Sequence, residues 1–585
     1  MPAPFPGAGR RPERREFVRP SRTSAVEGEQ ELAFWHALVR DVAYGQIPRP
    51  QRAQKHLAAA DWIEERAGGR VEDVADLLAH HLAEAVELYE ALGEHARTED
   101  LRPRLKSTLV LAAERALGLD PQRAIAHLDR ALELSVDERD RPELVVRRAD
   151  AAIQAGRVQE AVAALDEVLP DLRAGSDAVL TARALIQLSL ASRYIGKEEL
   201  LVPLAEEAVA LLEPSDPSRP LFDALTELAG TLTVVERNED AMVVANRALV
   251  LADELGVEPP GRLLGFRGTQ RVFLGDRGGF EDMDEAYERL VASGASRFAT
   301  VVRFNRARAF WHLDGPRTLD DFVDAREFAL SRGQELYARY SLGAIAFSLV
   351  DQGRYVEVTK LVEHHLPEVE AAGDSFIAES LRSWLGATYA AQGDPDGAEL
   401  ELLAVLETAT GEERRGHALV FASHVARMRG KPAHAAELLV EHFETHNVTK
   451  HPPSFGNMPL LARTAAAVGE TRRTAEYVSQ IYPGLGFTYV DTLANAARAV
   501  IAHAEGDHRL AVKLASSVVE PLAETMAFPE RGHALMLLGQ AKLALGDPSG
   551  PDAVRSAREV FAELGMRPAL AEAEALLEGE VAAEA

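Results

Sequence analysis

The sequence predicts an all-α protein: an α-solenoid of stacked helix–turn–helix units, preceded by a short β-hairpin segment. Three observations predict it. A glycine-centred turn recurs at Gly118, Gly156, Gly196, Gly275, Gly315, Gly353, Gly393, Gly430, Gly469, Gly506 and Gly546, with Arg237 filling one place in the series, at intervals of 37 to 41 residues. Such self-similarity marks a repeat architecture. Apolar residues fall at three- and four-residue steps on both sides of each turn, as in AAIQAGRVQEAVAALDEVL around Gly156, which reads as an antiparallel helix pair. The chain of 585 residues is 47% hydrophobic and 27% charged, long enough for an extended array of such pairs.

The first 22 residues carry Arg10, Arg11, Arg14, Arg15, Arg19 and Arg22, but no apolar run follows them as a signal peptide requires. Residues 1–16 are expected to be a disordered tail. The FVRP and ELAFWH stretches read as two short strands joined by polar residues, a β-hairpin wing. A helix follows and is stopped by Ile47-Pro48. The stretch from Arg49 starts the next helix with a proline, turns apolar residues Leu57, Ala60 and Ile63 to one face, and ends at Gly68-Gly69. Residues 17–95 are therefore read as one module, 96–566 as about 12 helix pairs, and 567–585 as a capping helix and tail. Glycine at each turn supplies the left-handed backbone that closes the first helix. Each pair buries its core against its neighbours alone, which predicts a concave binding surface and unfolding of limited cooperativity.

The step from glycine to a small residue five positions on, and to a further apolar or small one four beyond, repeats at Gly156–Ala161–Leu165, Gly393–Ala398–Leu402, Gly430–Ala435–Leu439 and Gly506–Ala511–Ala515. This resembles the tetratricopeptide pattern at a longer period. The N-terminal stretch carries Phe34, His36, Arg40-Asp41, Ala43-Tyr44, Ile47-Pro48, Arg52, His56, Ala59, Trp62 and then Leu78-Ala79-His80-His81. In that order the marks resemble the region that follows the ATPase core in bacterial STAND-type ATPases, which occur with tetratricopeptide arrays in class III adenylate or guanylate cyclases and in large transcriptional regulators. The resemblance implies that residues 17–95 are a partial winged-helix module. It also implies that the chain is the C-terminal part of a larger signalling ATPase, set apart by truncation, fission or an altered start.

The functional classes narrow by chemistry. The absence of cysteine excludes disulfides, thiolate metal sites and a cysteine nucleophile, and fits a cytoplasmic location. A net charge of −28 disfavours tracking phosphates over the whole surface; Arg49, Arg52 and Lys55 form the one small basic face, and nucleic acid is not expected as a partner. No G-x-x-x-x-G-K-[ST] loop occurs, and the Gly-Lys pairs in YIGKEEL and MRGKPAH lack its other members. His442, Glu444 and His446 stand in the order H-x-E-x-H rather than H-E-x-x-H and read as a helix end, and GLGF at 484–487 reads as a solenoid turn. His80-His81 and His364-His365 are consecutive, so each pair points to different helix faces and is ill placed to chelate.

No catalytic residue, cofactor or metal is therefore expected. His36, Arg40 and Asp41 share the face where the resemblance places the missing ATPase. They are read as a nucleotide-sensing or interdomain contact, against a purely structural ion pair. The expected function is a non-enzymatic tetratricopeptide scaffold or sensor in bacterial signal transduction. It would bind a protein partner on its concave surface, and an ATPase or cyclase chain, or a second copy, through its N-terminal segment. The alternative is a regulatory subunit or fragment of a nucleotide-dependent signalling enzyme acting with a separate catalytic chain. Without their upstream helices, Phe17, Val18, Leu32, Phe34, Trp35, Leu38 and Val42 are expected to lack full cover.

Overall fold

A computed structural model describes residues 17–21, 30–135, 139–214, 217–235, 237–409, 411–445, 456–480 and 486–584. The tail predicted over residues 1–16 and most of the polar hairpin connection lie outside them, as do His446, Gly484 and Leu485. The chain divides into two compact units, 1–151 and 152–585, and the division falls within the run of repeats expected over 96–566.

In the first unit, strand β1 (Val18–Pro20) pairs antiparallel with β2 (Leu32–Phe34), Arg19 facing Ala33 in register. The hairpin predicted from the sequence is present. Helix Ala37–Gly45 follows and buries none of its residues. Helix Arg49–Ala67 starts with Pro50 in its first turn, where the missing N–H is no loss. It packs Ala53, Ala60 and Ile63 against helix Ala75–Ala91, which in turn packs on His95–Leu117. The turn at Gly118 departs from the expected left-handed form, with φ −79°. There Asp120 caps the next helix, its carboxylate accepting from Arg123 N at 3.0 Å, with Pro121 at the first helical position.

In the second unit the helices alternate in character. The first helix of a pair is buried nearly all round: Glu335–Asp351 buries twelve of its residues, whereas the second helix, Tyr355–Ala371, buries Tyr355, Val358, Val362 and Val369 along one stripe. A first helix is flanked by first helices on both sides and covered by its own partner. A second helix keeps one face in water, and so shows the amphipathic pattern that the first helix lacks. The positions read as tetratricopeptide-like are core positions, with Ala161, Leu165, Ala398, Ala435, Leu439 and Ala511 fully buried. Helix Arg567–Glu584 buries Ala569 and Ala573 beside Met566 and Phe561.

One expectation fails in this unit: contacts are not limited to neighbouring pairs. Helix Ala178–Tyr194 touches Ser375–Gln392, Ser296–Asp314 touches Thr488–Ala504, Glu335–Asp351 touches Phe528–Ala544, and Ser375–Gln392 touches Arg567–Glu584. Each of these is a first helix meeting the one five pairs further along the chain. The superhelix winds tightly enough for one turn to rest on the next. Turn glycines make the approach possible. Gly315 (φ +64°) has no Cβ, and one placed there would lie 2.8 Å from the Tyr489 ring; Gly353 faces Leu564 in the same way at 2.9 Å. Gly430, Gly469, Gly506 and Gly546 have the same left-handed backbone and nothing against them. The first group therefore serves both the local turn and the stacking of superhelical turns, the second only the local turn.

Candidate functional site

Tight winding brings the inner faces of the first helices around a set of adjoining cavities. The first, of about 110 Å³, is walled by Phe304, Trp311, Phe347, Phe376 and Trp384, with Arg193, Arg308 and Arg414 among them. A second of the same size shares Arg193, Val234, Phe304, Arg308 and Tyr340 with the first, and a third shares Trp384. Apolar and aromatic walls with a few convergent polar groups are what a small-molecule site needs.

The large aromatic and basic residues of the inner helices fall at helical spacing. Arg308, Trp311 and His312 sit within one turn of helix Ser296–Asp314. Trp311 lies 4.8 Å centroid-to-centroid from Phe347, which in turn lies 4.8 Å from Trp384. Tyr340 stacks on Phe376 at 5.5 Å.

Two guanidiniums are held against the Phe376 ring, Arg193 at 4.4 Å and Arg414 at 4.3 Å from its centroid. Arg414 is fixed through Nε to Glu379 at 2.6 Å and through Nη1 to Glu198 at 2.5 Å. Arg193 donates from Nη2 to the Tyr340 hydroxyl at 2.9 Å. Burial works against its charge, but Tyr340 and Glu198 outweigh that and hold its pKa above the ordinary value. His312 donates from Nδ1 to the Arg308 carbonyl at 2.8 Å, and burial pushes its pKa down to about 3, so the ring is neutral at pH 7.

The third cavity has its own charged groups. Arg463 grips Glu530 with both terminal nitrogens at 2.6 and 2.7 Å. Burial, with Glu530 nearby, pushes the Asp351 carboxyl well above the usual carboxylate range. His424 is pushed down to about 3 by burial, then by Arg427 and Arg463.

The residues singled out in the sequence lie elsewhere. His36 caps its helix, Nδ1 accepting from Leu38 N at 3.2 Å, and Arg40 pairs with its neighbour Asp41 at 2.8 Å, both largely exposed. His81 packs beside His80, ring centroids 5.3 Å apart, and meets His56, Nδ1 to Nδ1 at 3.0 Å, while His56 Nε2 lies 2.9 Å from the Tyr44 hydroxyl. Burial and the two neighbouring imidazoles push His81 down to about 4. His442 is buried, Nδ1 donating to the Gly416 carbonyl at 3.1 Å, and Glu444 reaches Arg473 at 3.9 Å. His365 lies 3.5 Å from Arg326. Arg52, of the small basic face, lies over the Tyr44 ring. Gly486 accepts from Arg277 through its carbonyl, and Phe487 packs on His312. Among the described residues no cluster of three or more His, Asp or Glu is arranged to hold a metal, and no helix is long and apolar enough to cross a membrane. Sequence reasoning missed the cavity residues; the signal was the clustering of arginine with aromatic residues on the first helices of successive pairs.

No protein-family model matches the chain, and no curated protein does. Solved structures with a similar course include the anaphase-promoting-complex hetero-tetramer Cut9–Hcn1, 14% identical, covering 84% of this chain and 98% of that one, TM-score 0.37. Yeast Tom70 is 14% identical over 76% of this chain and 96% of its own, TM-score 0.32. A STAND protein with a tetratricopeptide-repeat sensor, PH0952 from Pyrococcus horikoshii, is 14% identical over 73% of this chain, TM-score 0.33, and the match spans 56% of that protein. At these scores none says anything of partners or activity; the repeat fold is read from the helix pairs themselves.

Proposed function

We propose that this chain is a non-enzymatic tetratricopeptide-like sensor and scaffold of bacterial, cytoplasmic signal transduction, in which the wound second unit receives a small effector in its internal cavities. The observation that carries the reading is the contact between successive superhelical turns. It turns the open groove expected for a peptide into adjoining cavities walled by aromatic rings and arginines. Winding and occupancy are coupled by construction, because the same first helices wall the cavities and carry the turn-to-turn contacts. An effector that fits one degree of winding better than another shifts the population between them. The lack of a phosphate loop in the sequence supports a receiving rather than a catalytic role.

A protein partner enters the reading through the first unit. Trp35, Leu38 and Val42 are 65%, 67% and 62% exposed on and beside a helix that buries nothing. That face favours the second form of the proposal, a regulatory piece that docks on a separate ATPase or cyclase chain, with His36, Arg40 and Asp41 at the contact.

The test is equilibrium dialysis of the full chain against a small-molecule extract of its own cells, read by mass spectrometry. The expected result is enrichment of one or a few compounds that is lost when Trp384 is replaced by alanine in a chain that stays folded. No enrichment over a buffer control, with partner binding intact, would leave the scaffold role and remove the sensor.

A further inference from the structure

Arg193 is partly buried and lines both the first and second cavities. Its one hydrogen bond goes from Nη2 to a neutral hydroxyl, Tyr340, and its Nε is enclosed without a protein acceptor. Arg414, beside it on the Phe376 ring, spends Nε and Nη1 on Glu379 and Glu198 and keeps Nη2 enclosed without an acceptor. A buried donor with no acceptor is costly, and more so when it is charged. Two such donors from adjacent guanidiniums on one ring therefore form a place prepared for an acceptor that the chain does not supply. Of the wall carboxylates, Glu227 is held by Arg262 at 2.8 Å, while Glu413 and Glu198 act on Arg193 through their charge and leave its Nε without an acceptor.

The other walls define the rest of the ligand. Phe304, Trp311, Phe347 and Trp384 present ring faces and edges, which favour a flat apolar body over a branched one. We infer that the cavities of the second unit take a small organic anion with a planar apolar body, of the class of aromatic carboxylates, its charged group at Arg193 and Arg414 and its body along Trp311 and Trp384. Arginine suits this task because its planar fork pairs bidentately with a carboxylate. The net charge of −28 sharpens the inference, since the chain as a whole repels anions and any that bind are drawn by local groups.

The inference rests on the sensor reading, and the experiment separates the two. Trp311 and Trp384 are two of four tryptophans, so a full chain with Trp35 and Trp62 changed to Phe reports on the cavity alone. It is titrated with 1-anilinonaphthalene-8-sulfonate, an anionic planar aromatic, and with N-phenyl-1-naphthylamine, its neutral counterpart, reading energy transfer from the two indoles. The expected result is saturable transfer to both probes, with the anion at least tenfold tighter. Arg193→Met should weaken the anion tenfold or more and the neutral probe less than twofold. Arg193→Lys, which keeps the charge and loses the fork, gives the same comparison if the methionine variant does not fold, and near-ultraviolet circular dichroism checks each variant. Equal affinities, or equal losses for both probes, would overturn the anion class and leave the cavity reading standing. Absence of transfer to either probe would overturn both.

Discussion

Arg339 donates from Nη2 to the carbonyl of Gly156 at 2.9 Å, a residue 183 positions earlier in the chain, while its Nε holds the Asp374 carboxylate at 2.5 Å. One side chain thus ties a turn of the superhelix to the turn that follows, and orders the acidic residue that begins the next helix pair. Both partners are buried, Asp374 completely. Removing the cation leaves a carboxylate enclosed without compensation, a loss of about 3–5 kcal/mol. Arg339→Met is expected to lower the unfolding free energy read from urea denaturation by that amount and to split unfolding into two phases, because neighbour contacts survive when the turn-to-turn tie is cut. Adding Asp374→Asn should recover part of the loss.

The glycines offer a comparison within one molecule. Gly315 and Gly506 share a left-handed backbone, but only Gly315 has a ring against it. Gly506→Ala is expected to cost about 1–2 kcal/mol, the strain of a Cβ in that conformation. Gly315→Ala should cost clearly more, because Tyr489 must move as well. Thermal denaturation of the two variants side by side gives the difference.

Acid sensitivity follows from the buried imidazoles. His312, His424 and His442 are each pushed to about 3 by burial, against 6.5 in the unfolded chain. Their folded pKa lies below the unfolded one, so protons bind the unfolded state first. Stability is full above about pH 6.5 and falls as pH drops toward 3, by about 1.4 kcal/mol per unit for each ring. The urea midpoint is expected to fall steeply between pH 6.5 and 5. His442→Asn, whose amide replaces Nδ1 as donor to Gly416, should reduce that slope by about one proton.

The N-terminal face gives a prediction about association. Replacing Trp35, Leu38 and Val42 with serine removes apolar surface that the described chain does not cover. Stability should change by no more than about 0.5 kcal/mol per site, as for surface positions generally. Sedimentation is expected to show a larger, concentration-dependent species in the parent that is absent from the triple variant.

What the sequence disclosed follows from range. The pairing of helices was legible because Gly156, Ala161 and Leu165 encode it within ten residues, and the hairpin because its strands lie next to one another. The winding was not, because Gly156 and Arg339, or Tyr194 and Ser375, stand 183 and 181 residues apart with no periodic mark. The cavity was hidden for the same reason: Trp311, Phe347 and Trp384 each read as ordinary core until three helices from different pairs bring them together. The place of His81 beside His80 in sequence likewise gives no sign of its hydrogen bond to His56, on the preceding helix.

The turn-to-turn contact admits a direct measurement, because the chain has no cysteine. A Cβ placed on Gly196 would lie 3.3 Å from Ser375 Oγ, close to the about 3 Å between a Cβ and the opposite sulfur in a disulfide. The double variant Gly196→Cys, Ser375→Cys is oxidised mildly in dilute solution and mapped by peptide mass spectrometry, with each single variant as control. Contact between successive superhelical turns predicts rapid, nearly complete intramolecular cross-linking of residues 196 and 375 in the folded chain and none after unfolding in urea. Free thiols that persist in the folded double variant, or cross-links that form only between molecules, would contradict it.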